Sequence, residues 1–164
     1  MTSKIRKISL IMGSILIGIL LLLIYLFNQN PLSTNGFSEN NERSKLILSL
    51  VNKGSFNIKI EEVQVNDKIS SNTQLVISYS GQLASSGGIY TDPLAKFSEI
   101  QNSTIHPELS AHEAKEAYSS ETNTKPISYG LSVINNEKVN FIKIKYKYLG
   151  ISHVKEINLD RWFE

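Results

Sequence analysis

The 164-residue chain contains no cysteine. That excludes disulfides, thiolate metal ligation, a cysteine nucleophile and lipid attachment at a cysteine, although an extracellular setting would permit disulfides. Histidine is scarce, with only His106, His112 and His153. A catalytic zinc needs three protein ligands on rigid elements. The patch His106, Glu108, His112 and Glu113 matches no such spacing and reads as solvent-exposed. No serine sits in a G-x-S-x-G elbow. No helix follows Gly87-Gly88, so this pair does not read as a phosphate-cradling loop. The sequence points away from an enzyme, and no cofactor or metal is expected. Basic charge is also missing where a polyanion binder would carry it in bulk. Lys4, Arg6 and Lys7 account for the formal +2, and beyond them 14 Lys and Arg face 15 Asp and Glu. No nucleic-acid partner is implied.

Charge is wholly absent from residues 8–27, ISLIMGSILIGILLLLIYLF, of which fourteen are Ile, Leu or Phe. A helix of that length rises about 30 Å, the thickness of a bilayer's hydrocarbon core. At roughly −0.3 to −0.6 kcal/mol for each central Leu, Ile or Phe, insertion is favoured by about 4 to 8 kcal/mol. The run is longer than a signal-peptide apolar region, and NQNPLSTNG after it offers no A-x-A-like cleavage site. The expectation is an uncleaved single-pass anchor with the lipid bilayer as its partner through residues 8–27. The basic residues before it place the N-terminus, residues 1–7, in the cytoplasm and the remainder outside the cell membrane. Seven residues hold no folded cytoplasmic domain. The pairs Ser9/Gly13 and Ser14/Gly18 have the spacing of close helix contacts, but they lie on different faces and read as ordinary small residues of an anchor.

Residues 28–44, NQNPLSTNGFSENNERS, are polar and read as a linker, spanning about 23 Å as a flexible coil. Residues 45–164 then form one domain. The segment 45–51, KLILSLV, is apolar without alternation and fits either a buried strand or the end of a helix. In 55–65, Phe56, Ile58 and Ile60 alternate with polar residues, and the apolar positions then shift to Val63 and Val65. That change of parity at Glu61-Glu62 predicts a β-bulge. The neighbouring glutamates read as a solvated edge. A turn at Asn66-Asp67-Lys68 and a strand over 74–80 complete an expected antiparallel pair. Ile89-Tyr90 fits a short strand. Ser110 and Glu113 have capping-box spacing ahead of a two-turn helix, with Ala111, Ala114 and Tyr118 on one face.

The last third alternates strongly. Tyr129, Leu131 and Val133 share a face, and Asn135-Asn136-Glu137 reads as a hairpin turn. Ile142, Ile144, Tyr146 and Tyr148 then point one way, and Lys143, Lys145 and Lys147 the other. Gly150 marks a second turn, Ile157 and Leu159 alternate, and Trp162 and Phe163 are expected over the core. The fold class is therefore mainly β: a single N-terminal transmembrane helix followed by an antiparallel immunoglobulin-like β-sandwich with one short helix. The lysines stand about 6.8 Å apart along one face. They are the candidate polyanion-binding residues, for wall polymers or anionic headgroups, set against an ordinary solvated strand face.

The run SLVNKGSFNIKIEEVQVNDKISSNTQLVISYS, residues 49–80, resembles the opening strands of extracellular domains in Gram-positive membrane-bound anti-sigma-like regulators (the DUF4179 type). The resemblance implies an extracellular immunoglobulin-like domain and carries over no functional residue. Those regulators have a sigma-factor-binding segment ahead of the anchor, which residues 1–7 do not supply. The expected function is binding of a membrane-protein or cell-envelope partner in a sensor or accessory role; the alternatives are a wall-polymer or anionic-lipid binding module using the lysine stripe and, behind it, a cryptic envelope hydrolase.

Overall fold

A computed structural model of the chain describes residues 2–40, 42–80, 88–119 and 125–162. The backbone divides into two units, one holding a long helix and the other beginning at Pro31.

The helix, α1, covers Thr2–Asn28, 27 residues. Its apolar side chains from Leu10 to Tyr25 are exposed. Among the described residues no helix is long and apolar enough to cross a membrane.

The second unit is mainly antiparallel β. In chain order its strands are β1 (Leu32–Ser33), β2 (Phe37–Glu39), β3 (Lys45–Asn52), β4 (Ile58–Val65), β5 (Lys68–Ile69), β6 (Thr73–Ser78), β7 (Ala95–Glu99), β8 (Thr104–Ile105), β9 (Ser128–Ile134), β10 (Phe141–Tyr148) and β11 (Ile151–Asn158). A helix, α2, covers Ala111–Ser119. One sheet runs β1-β3-β9-β6-β7, with β2 also on β3, and the other runs β11-β10-β4-β5, with β8 also on β4.

Both sheets turn one face to a single core. Leu46, Leu48 and Leu50 of β3, with Leu131 and Val133 of β9, meet Ile58, Ile60, Val63 and Val65 of β4 and Ile142, Ile144 and Tyr146 of β10. The alternation in β10 is complete, its even-numbered residues buried and its odd-numbered ones outward. In β4 the pattern survives through the expected bulge. Lys145 pairs with Glu62 and Tyr146 with Ile60, so Glu61 stands unopposed. The extra residue restores the parity of the apolar side chains, and all four remain in the core. β3 resolves as a strand rather than a helix, because it lies between β1/β2 and β9 with five of its residues from Leu46 to Asn52 buried.

Several expectations are corrected. Residues 28–44 are not one linker: β1 and β2 lie within them and pair antiparallel with β3. Leu32 is buried in the core and Phe37 packs against it, and only residues 29–31 separate α1 from β1. β4 and β6 are not a hairpin, since they lie in different sheets and β4 takes β5 as its hairpin partner. The turn at 135–137 likewise joins strands of different sheets, β9 and β10. Phe56 is not on the core face of β4; it precedes the strand and is 56 % exposed. Residues 88–90 form a 3-10 turn, not a strand. The capping box exists as expected, with the Ser110 amide donating to Glu113 Oε2 at 2.9 Å and the Glu113 amide to Ser110 Oγ at 3.3 Å. Only Ala117 of α2 is buried, however, not the face of Ala111, Ala114 and Tyr118. The Trp162 side chain and Phe163 lie outside the described residues.

Buried asparagine chemistry fixes the end of the domain where β1 starts. Asn52 is 1 % exposed. Its Nδ2 donates to the carbonyls of Phe56 (2.8 Å) and Ile105 (3.1 Å), and its Oδ1 accepts from the Gly54 amide at 2.9 Å. One side chain thus joins β3, the 53–57 loop and β8. Gly54 is held by close approach: a Cβ there would lie 2.6 Å from Tyr148 Oη and 2.9 Å from Pro31 Cβ. Replacing Asn52 by Ala strands the buried Ile105 carbonyl and the partly buried Phe56 carbonyl and should lower unfolding free energy by about 2 kcal/mol, read by denaturant titration of the chain. A loss no larger than that of an exposed Asn136→Ala control would contradict this role.

Burial also pushes the Tyr129 phenol up to about 12, against the opposing effect of the His106 backbone, and raises Tyr146. Both groups are neutral in the fold and ionise first in the unfolded chain. Their stabilisation is complete below about pH 10, the ordinary tyrosine value, and is lost as pH rises towards the folded values. The melting temperature should fall over pH 10–12, and the Tyr129→Phe/Tyr146→Phe double variant should flatten that fall. An unchanged slope would overturn the assignment.

Candidate functional site

The alternation of β10 puts Lys143, Lys145 and Lys147 together on the outer face of the second sheet, as the sequence predicts. Their neighbours come from the flanking strands. Lys143 lies opposite Glu156 of β11, and Lys145 opposite Glu62 of β4. The ammoniums are accordingly matched. Lys143 Nζ is 3.3 Å from Glu156 and 3.9 Å from Asp67. Lys147 Nζ is 2.8 Å from Glu61, and Lys145 Nζ is 4.0 Å from the same carboxylate.

Glu61 owes its position to the bulge. As the unopposed residue it stays on the outer face beside Glu62, where Lys145 and Lys147 converge on it. The Lys147 ammonium holds the Glu61 carboxyl below the usual carboxylate range, burial opposes this, and Ser152, whose hydroxyl donates at 3.1 Å, adds to it. The pairing therefore persists at neutral pH and is lost only as pH falls through that depressed value. Exposed pairs of this kind add little stability. Their effect is on the surface potential, which they bring close to neutral.

The sequence shows the lysine stripe plainly but not its neutralisation. The bulge signal at Glu61-Glu62 is present in the sequence; that it faces β10 rather than a sheet margin depends on the pairing of β4 with β10, which no local pattern carries.

The histidines do not converge. His106 Nδ1 is 3.0 Å from Asn57 Oδ1, His112 is 3.7 Å from Glu116 one helical turn on, and the His153 ring stacks on Tyr146 at 5.5 Å. Among the described residues no group of three or more His, Asp or Glu could hold a metal ion. Besides a concavity of about 390 Å³ against Phe141, Lys155 and Arg161, two others adjoin candidate residues. An open groove of about 410 Å³ is lined by Glu61, Glu62, Glu99 and the 69–71 segment. A smaller cavity of about 160 Å³ lies where β3 and β9 part, against His106, Glu108 and Tyr129. The groove also holds Ser70, Ser71 and Thr73, and the cavity Ser49 and Ser128.

No protein-family model, curated protein or solved structure matches the chain.

The matched charges give a direct expectation. Replacing Lys143, Lys145 and Lys147 by Gln should lower the salt concentration at which the chain elutes from phosphocellulose no more than replacing the exposed Lys45, Lys59 and Lys68 does, since each set removes three charges. Glu61→Gln should raise that salt concentration by releasing two ammoniums. Earlier elution of the stripe variant than of this control would restore the stripe as a polyanion site.

Proposed function

We propose that the protein is a single-pass membrane-anchored, non-enzymatic domain that binds a membrane or envelope partner in a sensor or accessory role. The observation that carries this is α1. It is 27 residues long, about 40 Å at 1.5 Å per residue. Over residues 8–27 it has no charge, and its exposed apolar side chains include Leu10, Ile11, Leu16, Ile17, Leu20 and Leu21. A helix apolar all round belongs in a low-dielectric environment. Ser14 is compatible with lipid because its hydroxyl donates to the Ile11 carbonyl at 2.8 Å within the helix, leaving no donor to desolvate. Lys4, Arg6 and Lys7 favour a cytoplasmic N-terminus and an extracellular sandwich.

We read the domain as immunoglobulin-like. With β1, β3, β9 and β6 as strands A, B, E and D, and β11, β10, β4 and β5 as G, F, C and C′, the orders are ABED and GFCC′, those of the immunoglobulin sandwich. The segment between β6 and β9 is an elaboration of the D–E connection. Part of it covers the outer face of the first sheet, where Ile89 packs with Ile47, Val76 and Phe97. Such sandwiches usually act by presenting surfaces. Wall-polymer or anionic-lipid binding through Lys143, Lys145 and Lys147 is the weaker reading, because Glu61, Asp67 and Glu156 neutralise the stripe.

The test is fractionation followed by capture. The chain should resist alkaline carbonate extraction, and Ile17→Lys/Leu21→Lys should move it to the soluble fraction, since each central lysine costs about 2.5–3.5 kcal/mol on an insertion scale. In-cell crosslinking should then yield one reproducible membrane partner that is lost on deleting residues 45–164. Carbonate release of the unmodified chain would overturn the anchor, and capture that survives the deletion would overturn the role of the sandwich.

A further inference from the structure

α1 ends at Asn28 and β1 begins at Leu32. The three residues between them reach at most about 10 Å when extended. Even this overstates the free length. Pro31 is buried, and its carbonyl accepts the Lys53 amide at 2.9 Å. If α1 spans the bilayer, its apolar run ends at Phe27, and the headgroup layer above the hydrocarbon is only about 5–7 Å deep. The neighbours of Pro31 are thereby tethered within reach of the membrane surface.

Those neighbours are the wrong residues for a purely aqueous loop. Gly54 abuts both Pro31 and Tyr148. Two residues beyond Gly54, Phe56 packs edge-on against Tyr148 at 6.3 Å and is 56 % exposed. Next to Tyr148, Leu149 is 41 % exposed. Leu149 also sits where a leucine is disfavoured. It opens the two-residue turn joining β10 to β11, at φ +53°, with Gly150 at +80°. That left-handed geometry selects Asn, Asp or Gly.

The same sheet has a second two-residue turn, between β4 and β5, with Asn66 at +50° and Asp67 at +62°. There the preferred polar residues are used. The two turns lie at opposite ends of the sheet, since Tyr148 pairs with Ile58 and Ile142 with Val65. Local folding explains Asn66-Asp67 and leaves Leu149 unexplained; a lipid surface beside it supplies a reason. Ile69, Ile134 and Val154 are exposed as well, but Ile69 and Ile134 lie at the other end, about 25 Å away along eight strand residues, and Val154 lies mid-strand opposite Lys145.

We propose that the tether end of the sandwich seats on the bilayer, with Phe56 and Leu149 entering the boundary between headgroups and acyl chains beside the exit of α1. This rests on α1 being a span. Large apolar tips that bury in this boundary hold a domain in one orientation on the membrane, so the distal end, with Asn66-Asp67, is the one presented to partners.

The cysteine-free chain allows the test directly. Full-length chain carrying a single environment-sensitive fluorophore at Phe56→Cys, Leu149→Cys, Ile69→Cys or Ile17→Cys is reconstituted in phosphatidylcholine vesicles. Some of the lipids carry a nitroxide, near the top of the acyl chain in one preparation and near its end in another. Positions 56 and 149 should lose emission to the shallow nitroxide, with blue-shifted spectra, position 17 should lose it to the deep one, and position 69 should lose it to neither. With the label at Lys53→Cys, which the tether alone keeps near the bilayer, Phe56→Ser/Leu149→Ser should weaken the quenching and Phe56→Leu should retain it. Quenching at 17 but not at 56 or 149 overturns the seating and leaves the span intact. No quenching at 17 overturns the span itself. Shielding of 56 from aqueous iodide that grows with protein density, without lipid quenching, assigns the surface to a second copy of the chain and also overturns the proposal.

Discussion

One constraint organises the domain: the inward side chains of two sheets must fill a single core. β10 meets it by strict alternation, Ile142, Ile144 and Tyr146 inward and three lysines outward. β4 meets it only through its bulge, which lets Ile58 and Ile60 share a face with Val63 and Val65 despite their odd spacing. The core requirement therefore also fixes what lies outside. The residue the bulge sets aside is Glu61, and its place on the outer face brings it to Lys145 and Lys147. The electrostatic character of that face follows from how the interior is packed.

Asparagine does at the turns what apolar alternation does in the strands. Asn40 accepts the Ser44 and Lys45 amides at the β2–β3 turn. Asn52 joins β3 to the 53–57 loop and β8. Asn66 donates to the Lys138 carbonyl and accepts the Asn140 amide across the distal end. Each replaces water at backbone groups that the turns would otherwise leave without partners. The result is short, fixed connections in a chain without a disulfide. The tether belongs to the same economy, because Pro31 is already bound to the domain and the helix gives way to the first strand almost at once.

Much of this was legible in the sequence, and the division is instructive. Faces were readable: the burial of β9 and β10, the bulge in β4, the tight turn at Asn66-Asp67, the capping box at Ser110 and Glu113. Partners were not. A period of two tells which way a side chain points, not which sheet its strand joins. Hence 55–65 and 74–80 resemble a hairpin, and 135–137 resembles the turn of another, although both connections cross between sheets. β1 and β2 are two and three residues long, too short to show a period, so 28–44 read as a linker. Phe56 continued the alternation of Ile58 and Ile60 in sequence but not in space, because Asn52 draws the Phe56 carbonyl into the preceding loop. At the candidate site, the three lysines were readable and their carboxylate partners, brought in from β4 and β11, were not.

The central claim is a sandwich held outside the cell on a membrane-spanning α1. The most direct measurement uses intact cells expressing the chain with a single cysteine at Ser3 or at Asp67, treated with a membrane-impermeant maleimide. The account predicts labelling at 67 in intact cells, and at 3 only after the membrane is opened. Labelling at 3 in intact cells with protection at 67 would reverse the topology. Equal labelling at both positions, before and after opening the membrane, would contradict the span.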